Sequence, residues 1–171
     1  MFFIFQNQKK EKTELRTFAA DDEHTRPVGR TLFHQGTRWF SMSGSGIEFS
    51  CEGEYADIKL TAYNVQYLPY NHKPRVAVFV NGALYDDVII EQADQNVRID
   101  LAGFGNEAVV KIVKLSESMY SCAGISSIEV YGKKDIEPTS DEKLMIEFIG
   151  DSITAGYGLD EVNMGAGFST R

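Results

Sequence analysis

The chain has 171 residues, 43% of them hydrophobic and 25% charged, a balance that suits one globular domain, or one domain with part of another, and excludes wholesale disorder. Its 17 basic and 25 acidic residues give a formal net charge of −8, which argues against non-specific binding to nucleic acid or to an anionic membrane. No apolar run approaches the ~20 residues of a membrane-spanning helix, and the apolar residues 1–5 are too few for a signal peptide. We therefore expect no membrane segment and, by default, a cytoplasmic protein.

Residues 28–133 alternate between apolar and polar side chains, which is the period-two pattern of β-strands. Asn81-Gly82 lies between two such runs and is the strongest short signal for a tight hairpin, because both turn residues must adopt a positive φ. Nothing between residues 30 and 132 has the spacing of an amphipathic helix. The pattern predicts an antiparallel β-sandwich or jelly roll, with strand-like segments at residues 47–51, 55–62, 76–80, 84 onward, 97–101, 107–115 and 125–130.

The distribution of charge indicates a boundary after the sandwich. Residues 135–171 hold two basic and eight acidic side chains, a net charge of −6, whereas residues 23–134 hold 11 basic and 13 acidic ones. Residues 134–141 are polar and include Pro138, as expected of a linker. The chain is accordingly divided into an N-terminal extension (1–27), a sandwich (28–133), a linker (134–141) and the start of a further domain (142–171).

A short, nearly continuous apolar run at residues 144–149 ends at Gly150-Asp151-Ser152. Strands buried on both faces of a parallel α/β sheet have this composition, and ligands bind at the carboxyl edge of such sheets. Glycine permits a tight turn at that edge, and an ester carbonyl attacked there would develop its negative charge beside backbone N–H donors. Asp-Ser alone is also common turn and N-cap chemistry, so the argument depends on the apolar run before it.

The segment from Phe148 to Gly158 resembles the first conserved block of the SGNH (GDSL-type) hydrolases. Upstream, residues 29–31, 44–49 and 78–82 resemble the N-terminal jelly-roll domain of carbohydrate esterase family 2, in which a β-sandwich precedes an SGNH domain. The resemblance implies a mainly β chain: an antiparallel jelly roll followed by the first strand and the nucleophile turn of an incomplete α/β SGNH hydrolase domain.

The same resemblance implies a carboxylic ester hydrolase that removes O-acetyl groups from polysaccharides or oligosaccharides such as xylan, without a cofactor. Ser152 matches the family's nucleophile, its backbone N–H matches one oxyanion donor, and Gly150 and Asp151 complete the motif. The family's catalytic His, in an Asp-x-x-His motif, and its other oxyanion donors have no counterpart here, so the sequence resembles a C-terminally truncated enzyme that is inactive alone. The literal Asp-x-x-His from Asp21 to His24 lies in a charged N-terminal segment and is interpreted as solvated surface.

Residues 63–74 are the best candidate for contact with a sugar. Tyr67, Tyr70 and His72 stand there among amide side chains, a mixture that can stack on a sugar ring and hydrogen-bond its hydroxyls. Further aromatic residues either extend this platform or belong to the core, where sandwich aromatics more often lie: Trp39, Tyr63 and Tyr120. The alternative interpretation of the whole chain is therefore a carbohydrate-binding or structural sandwich without catalysis.

Two cysteines and three histidines are too few for a disulfide framework or a zinc site, and we expect no metal. Cys51 and Cys122 either pair or, in the interpretation that we prefer, remain small thiols inside the fold. His34 is expected at the end of a strand.

Overall fold

The computed structural model describes residues 12–105, 107–140 and 149–150, and in these residues the chain forms two antiparallel sheets that enclose one core. Two single-turn 3₁₀ helices, Val65–Tyr67 and Tyr70–His72, are the helices among the described residues. The strands are β1 (Glu14–Phe18), β2 (Arg26–Val28), β3 (Thr31–His34), β4 (Thr37–Phe40), β5 (Gly46–Cys51), β6 (Gly53–Ala62), β7 (Arg75–Val80), β8 (Ala83–Ile89), β9 (Gln95–Asp100), β10 (Ala108–Lys114), β11 (Ala123–Gly132) and β12 (Glu137–Pro138).

Eight strands follow the order of a jelly roll. Sheet I runs β3-β4-β11-β6-β9 with β1 also paired to β11, and sheet II runs β12-β5-β10-β7-β8 with β2 also paired to β5. Strand β7 therefore pairs with β8, β6 with β9, β5 with β10 and β4 with β11, so that one long hairpin is rolled up around its tip. The predicted antiparallel sandwich is confirmed.

The tip of this rolled hairpin is the predicted Asn81-Gly82 turn. Asn81 has φ 49° and Gly82 has φ 79°, the two positive values that a tight two-residue hairpin requires. Asn81 also ties the tip to β10, because its Oδ1 accepts the N–H of Val109 at 2.8 Å and its own N–H donates to the Val109 carbonyl at 2.8 Å.

The core lies between the sheets and follows the alternation of the sequence. On β6, Ala56, Ile58 and Leu60 have no exposed surface, whereas their neighbours Tyr55 and Asp57 are half-buried on the outer face of sheet I. Complete burial of one such Ile or Leu side chain stabilises the fold by about 1.5–3 kcal/mol. The apolar side of each strand therefore determines which face of the sheet packs against the core.

The sandwich extends beyond residues 28–133 on both sides, which corrects the predicted division of the chain. Strand β1 and the first two residues of β2 lie in the predicted N-terminal extension (1–27), and the two strands pair with β11 and β5. Strand β12 lies in the predicted linker and pairs with Ser50 and Phe49 on the outer edge of β5, where Pro138 costs no interior hydrogen bond. The period-two pattern does not reveal these edge strands, because they and the residues beside them bring few apolar side chains to the core: Phe18 on β1, Ala20 after it and Ile136 before β12.

The predicted strand at residues 144–149 and the nucleophile turn fall largely outside the described residues. Ile149 and Gly150 are described and both are exposed. The SGNH part of the fold therefore stays a prediction.

Four connections lie at one end of the sandwich, called here the loop end: residues 41–45, 63–74, 90–94 and 115–122. Backbone hydrogen bonds join them, with the N–H of Gly44 donating to Lys114 and the N–H of Tyr63 donating to Cys122. Loops held together in this way at the end of a rigid sandwich are a common location for binding sites.

Candidate functional site

Of the predicted serine motif, the structure describes Gly150, while Asp151 and Ser152 lie outside the described residues. What the structure does show is how the preceding chain leaves the sandwich. Arg26 donates from Nε to Thr139 Oγ1 at 2.8 Å, and Thr139 Oγ1 donates to Glu48 Oε1 at 2.6 Å. The chain that leads to Ser152 is thus attached at the outer edge of β5.

A charged network holds this attachment. Arg26 Nη2 donates to Glu48 Oε1 at 2.6 Å, and Lys111 Nζ lies 3.9 Å from Glu48 Oε2. Burial alone would raise the pKa of the Glu48 carboxyl, but hydrogen bonds from Thr139 and Arg26 outweigh it and hold that pKa below its ordinary value. Glu48 is therefore ionised at neutral pH and fixes both partners.

The loop at residues 63–74 presents two of the three predicted sugar-contacting side chains to solvent. Tyr67 is 79% exposed and Tyr70 is 62% exposed. The buried Val65 anchors the first 3₁₀ helix of the loop, which begins after Asn64 in a left-handed conformation. The loop is therefore anchored by a buried side chain, while its two tyrosine rings project into solvent.

His72, the third predicted residue, connects two loops. Its ring stacks on that of Tyr120 with the centroids 4.3 Å apart and the planes at 16°. Tyr120 belongs to residues 115–122, so the stack joins the two longest connections of the loop end. His72 is half-buried in this contact and offers less free surface than Tyr67 or Tyr70.

The loop end also contains a buried lysine that the sequence analysis did not single out. Lys114 has no exposed surface, and its Nζ donates to the carbonyls of Ser116 at 2.6 Å and Glu117 at 2.8 Å. Burial lowers the pKa of Lys114 to about 8, although the nearby Cys122 and Glu117 oppose this shift. Its position in the sequence could have indicated this burial, because Lys114 follows Ala108, Val110 and Ile112 in the alternation that points side chains of β10 into the core.

The literal Asp-x-x-His motif forms a local turn between β1 and β2. Asp21 Oδ1 accepts the N–H groups of Glu23 and His24, each at 3.1 Å, and contacts His24 Nδ1 at 2.7 Å. Burial alone would raise the pKa of Asp21, but the hydrogen bond and the charge of His24 hold it below its ordinary value. Asp21, Glu23 and His24 bring one ligand-type atom each within 4.8 Å of one another. His24 is half-buried against Phe18, whereas Asp22 and Glu23 are exposed, so the predicted solvated surface holds for only part of this segment.

Both cysteines are free thiols, in agreement with the preferred prediction. Cys51 ends β5, whereas Cys122 precedes β11 at the loop end, so the two residues stand at opposite ends of the sandwich. Burial raises the pKa of Cys51 to about 12 and also raises that of Cys122, which keeps both groups protonated and unreactive at neutral pH. His34 is the last residue of β3, as predicted.

Comparison with solved structures now identifies the kind of sandwich. A family 2 carbohydrate esterase from Cellvibrio japonicus matches 94% of this chain with a TM-score of 0.69 at 21% identity, and 46% of its own length is covered. A family 2 carbohydrate esterase from Clostridium thermocellum, in complex with cellohexaose, matches 78% of this chain with a TM-score of 0.62 at 21% identity, and 39% of its length is covered. The sandwich has the fold of family 2 carbohydrate esterases. The predicted resemblance to these esterases is confirmed at the level of structure.

A carbohydrate-binding fold is also similar. A family 35 carbohydrate-binding module from an environmental isolate matches 74% of this chain with a TM-score of 0.50 at 19% identity, and 99% of its own length is covered. The chain spans less than half the length of the family 2 esterases that it matches. No family model matches the sequence. No curated protein matches it.

Among the described residues, no helix has the length and apolar composition needed to cross a bilayer.

Proposed function

We propose that this chain supplies the jelly roll and the nucleophile segment of a serine esterase that removes acetyl groups from carbohydrates. The observation that carries the proposal is a combination: a sandwich with the fold of family 2 carbohydrate esterases is followed in sequence by Gly150-Asp151-Ser152. The cellohexaose complex of the Clostridium thermocellum esterase supports a glycan as the partner.

In the proposed reaction, Ser152 Oγ attacks the carbonyl carbon of an O-acetyl group while a histidine takes the hydroxyl proton. The tetrahedral oxyanion accepts a hydrogen bond from the Ser152 backbone N–H. Collapse of the intermediate breaks the bond to the sugar oxygen, which receives the proton from the histidine, and water then releases acetate from the acetyl-serine. The reaction also requires a histidine base and further oxyanion donors, which we assign to a C-terminal part like that of the family 2 esterases, of whose length this chain covers less than half.

Hydrolysis of p-nitrophenyl acetate and of acetylated xylan tests this proposal. We expect no serine-dependent turnover by the 171-residue chain, and turnover once it is extended with the C-terminal half of a family 2 esterase. In subtilisin, removing either the serine or the histidine of such a pair costs on the order of 10⁶ in rate, so Ser152→Ala should reduce the extended protein to background.

Two outcomes would contradict the proposal. Activity of the extended protein that survives Ser152→Ala would reject Ser152 as the nucleophile. Serine-dependent turnover by the 171-residue chain would place a base within it, and His24→Asn, with His34→Asn as the matched control, would show whether the Asp21–His24 pair is that base.

A second candidate is a carbohydrate-binding sandwich without catalysis. The exposed Tyr67 and Tyr70 rings and the similarity to a family 35 carbohydrate-binding module favour it. Retention of the chain on an acetylated-xylan affinity gel, lost in the Tyr67→Ala/Tyr70→Ala variant, together with an inactive extended protein, would favour this candidate over the esterase.

A further inference from the structure

A groove on the outer face of sheet I is built around Trp39. Trp39 pairs with Gly124 of β11, and a Cβ atom at Gly124 would lie 2.9 Å from Trp39 Cε3. Because Gly124 has no side chain, the indole packs directly against the backbone of β11. The rest of the half-buried ring lines a groove of about 430 Å³, within the ~300–1,000 Å³ of small-molecule sites.

Two sides of this groove, called here the Trp39 groove, are apolar and exposed. Leu32 on β3 is 63% exposed and Met42 after β4 is 48% exposed, and both line the groove beside the indole. Isolated exposed apolar side chains need no explanation, but two that line one groove beside a half-buried indole mark a contact surface.

Hydroxyl groups and one cation also line the groove, together with Phe40 and Cys122. Thr31, Ser41 and Ser118 bring hydroxyl groups, and Arg30 brings a guanidinium group. Ser41 Oγ donates to the carbonyl of Ser118 at 3.3 Å, which fixes residues 115–122 against the end of β4. The groove therefore combines a flat aromatic surface, apolar sides and hydrogen-bonding groups from two elements held together.

This combination fits one chemical class of ligand. The apolar face of a pyranose ring stacks on an indole, and its hydroxyl oxygens need donors and acceptors at the rim. An unmodified sugar would leave the exposed surfaces of Leu32 and Met42 without an apolar partner. The methyl group of an O-acetyl substituent would cover them, and its carbonyl oxygen can accept from a hydroxyl or from Arg30.

We propose that the Trp39 groove is a binding subsite for an O-acetylated sugar residue of a glycan chain. The choice of an acetylated glycan rests on the proposed esterase function, whereas the location rests on the groove itself. In the proposed esterase, this subsite holds acetylated substrate on the sandwich in preference to the deacetylated product.

The chain contains its own probe for this subsite, because Trp39 is its only tryptophan. The 171-residue chain carrying Ser152→Ala is titrated with acetylated xylo-oligosaccharides and, separately, with the same oligosaccharides after alkaline deacetylation, while tryptophan fluorescence is followed. We expect a saturable change with the acetylated form and an affinity roughly fourfold weaker, or more, for the deacetylated form for each methyl group that is buried. Because Ser152 is replaced, failure of the esterase assay does not affect this result.

Variants of the exposed residues test the location without disturbing the core. Leu32→Ala should reduce the preference for the acetylated form, whereas Leu84→Ala, at 60% exposure on sheet II, is the matched control and should leave it unchanged. Calorimetry with Trp39→Ala, checked for its fold by circular dichroism, should show loss of binding.

Three results would overturn the proposal: a flat titration with both glycans, equal affinity for both, or binding that survives Trp39→Ala and Leu32→Ala but is lost in Tyr67→Ala/Tyr70→Ala.

Discussion

Lys114 shows how a single residue organises the loop end. Its amino group is buried, and its two hydrogen bonds close the start of residues 115–122 onto β10. A neutral amine still has two N–H bonds to donate, so both contacts survive loss of the proton while the cost of burying a charge disappears. The lowered pKa and the observed geometry are therefore compatible.

This arrangement predicts an unusual pH dependence of stability. The pKa of Lys114 is about 8 in the folded chain, below its ordinary value of 10.5, so between these pH values the unfolded chain holds the proton and the folded chain does not. Stability should therefore rise as pH increases from about 8 to 10.5, by at most about 3 kcal/mol from this group.

Urea unfolding of the wild-type chain and of Lys114→Met at a series of pH values measures this effect. The variant removes the titration and also leaves two carbonyls without their donor, which should cost about 1–3 kcal/mol. The free energy of unfolding of the wild type minus that of the variant should therefore increase toward high pH. Parallel curves would contradict the account.

At the scale of elements, the rolled hairpin depends on its tip. Asn81 and Gly82 both have a positive φ, and a Cβ atom at Gly82 would meet nothing within 4 Å. Any cost of Gly82→Ala therefore comes from the backbone conformation rather than from a clash.

We expect Gly82→Ala to lower the free energy of unfolding by about 1 kcal/mol, and Asn81→Ala to cost more because the bond to the Val109 N–H is also lost. Gly103→Ala is the matched control: its Cβ would also meet open space and its φ is not positive, so it should be neutral or slightly stabilising. Thermal and urea unfolding of the three variants checks this, and equal costs at Gly82 and Gly103 would contradict the assignment of the tip.

Most of the strands and the turn at the tip can be predicted from the sequence, and individual residues show why. Alternation at Ala56, Ile58 and Leu60 marks a face that must be buried, and Asn81-Gly82 marks a turn with few alternatives. Strand β1 gave no such signal, because its Glu14, Leu15 and Thr17 are exposed and its place beside β11 is decided by a partner more than 100 residues away.

The candidate site was less predictable than the fold. The sequence predicts Tyr67 and Tyr70 as sugar-contacting residues, and both are exposed. The stack of His72 on Tyr120 could not be predicted, because it depends on two loops that meet only after folding. The sequence allows Trp39 to be either a platform or a core residue, and its pairing with Gly124 shows which surface it presents.

At the scale of the whole molecule, the sandwich holds the chain that leads to the serine motif at a defined place. Thr139 is fixed to Arg26 and Glu48 at the edge of sheet II, whereas the Trp39 groove lies on the outer face of sheet I. The two features therefore lie on different sheets.

Covalent labelling is the sharpest test of the proposal that Ser152 is the nucleophile of an esterase built on this jelly roll. A fluorophosphonate reacts with an activated serine, forming an oxygen–phosphorus bond and releasing fluoride, while the base takes the hydroxyl proton. The chain extended with the C-terminal half of a family 2 esterase is treated with this reagent and digested, and its peptides are analysed by mass spectrometry. We expect one adduct, on Ser152, and none when Ser152 is replaced by alanine. An adduct on another serine of an active protein, with Ser152 unmodified, would contradict it.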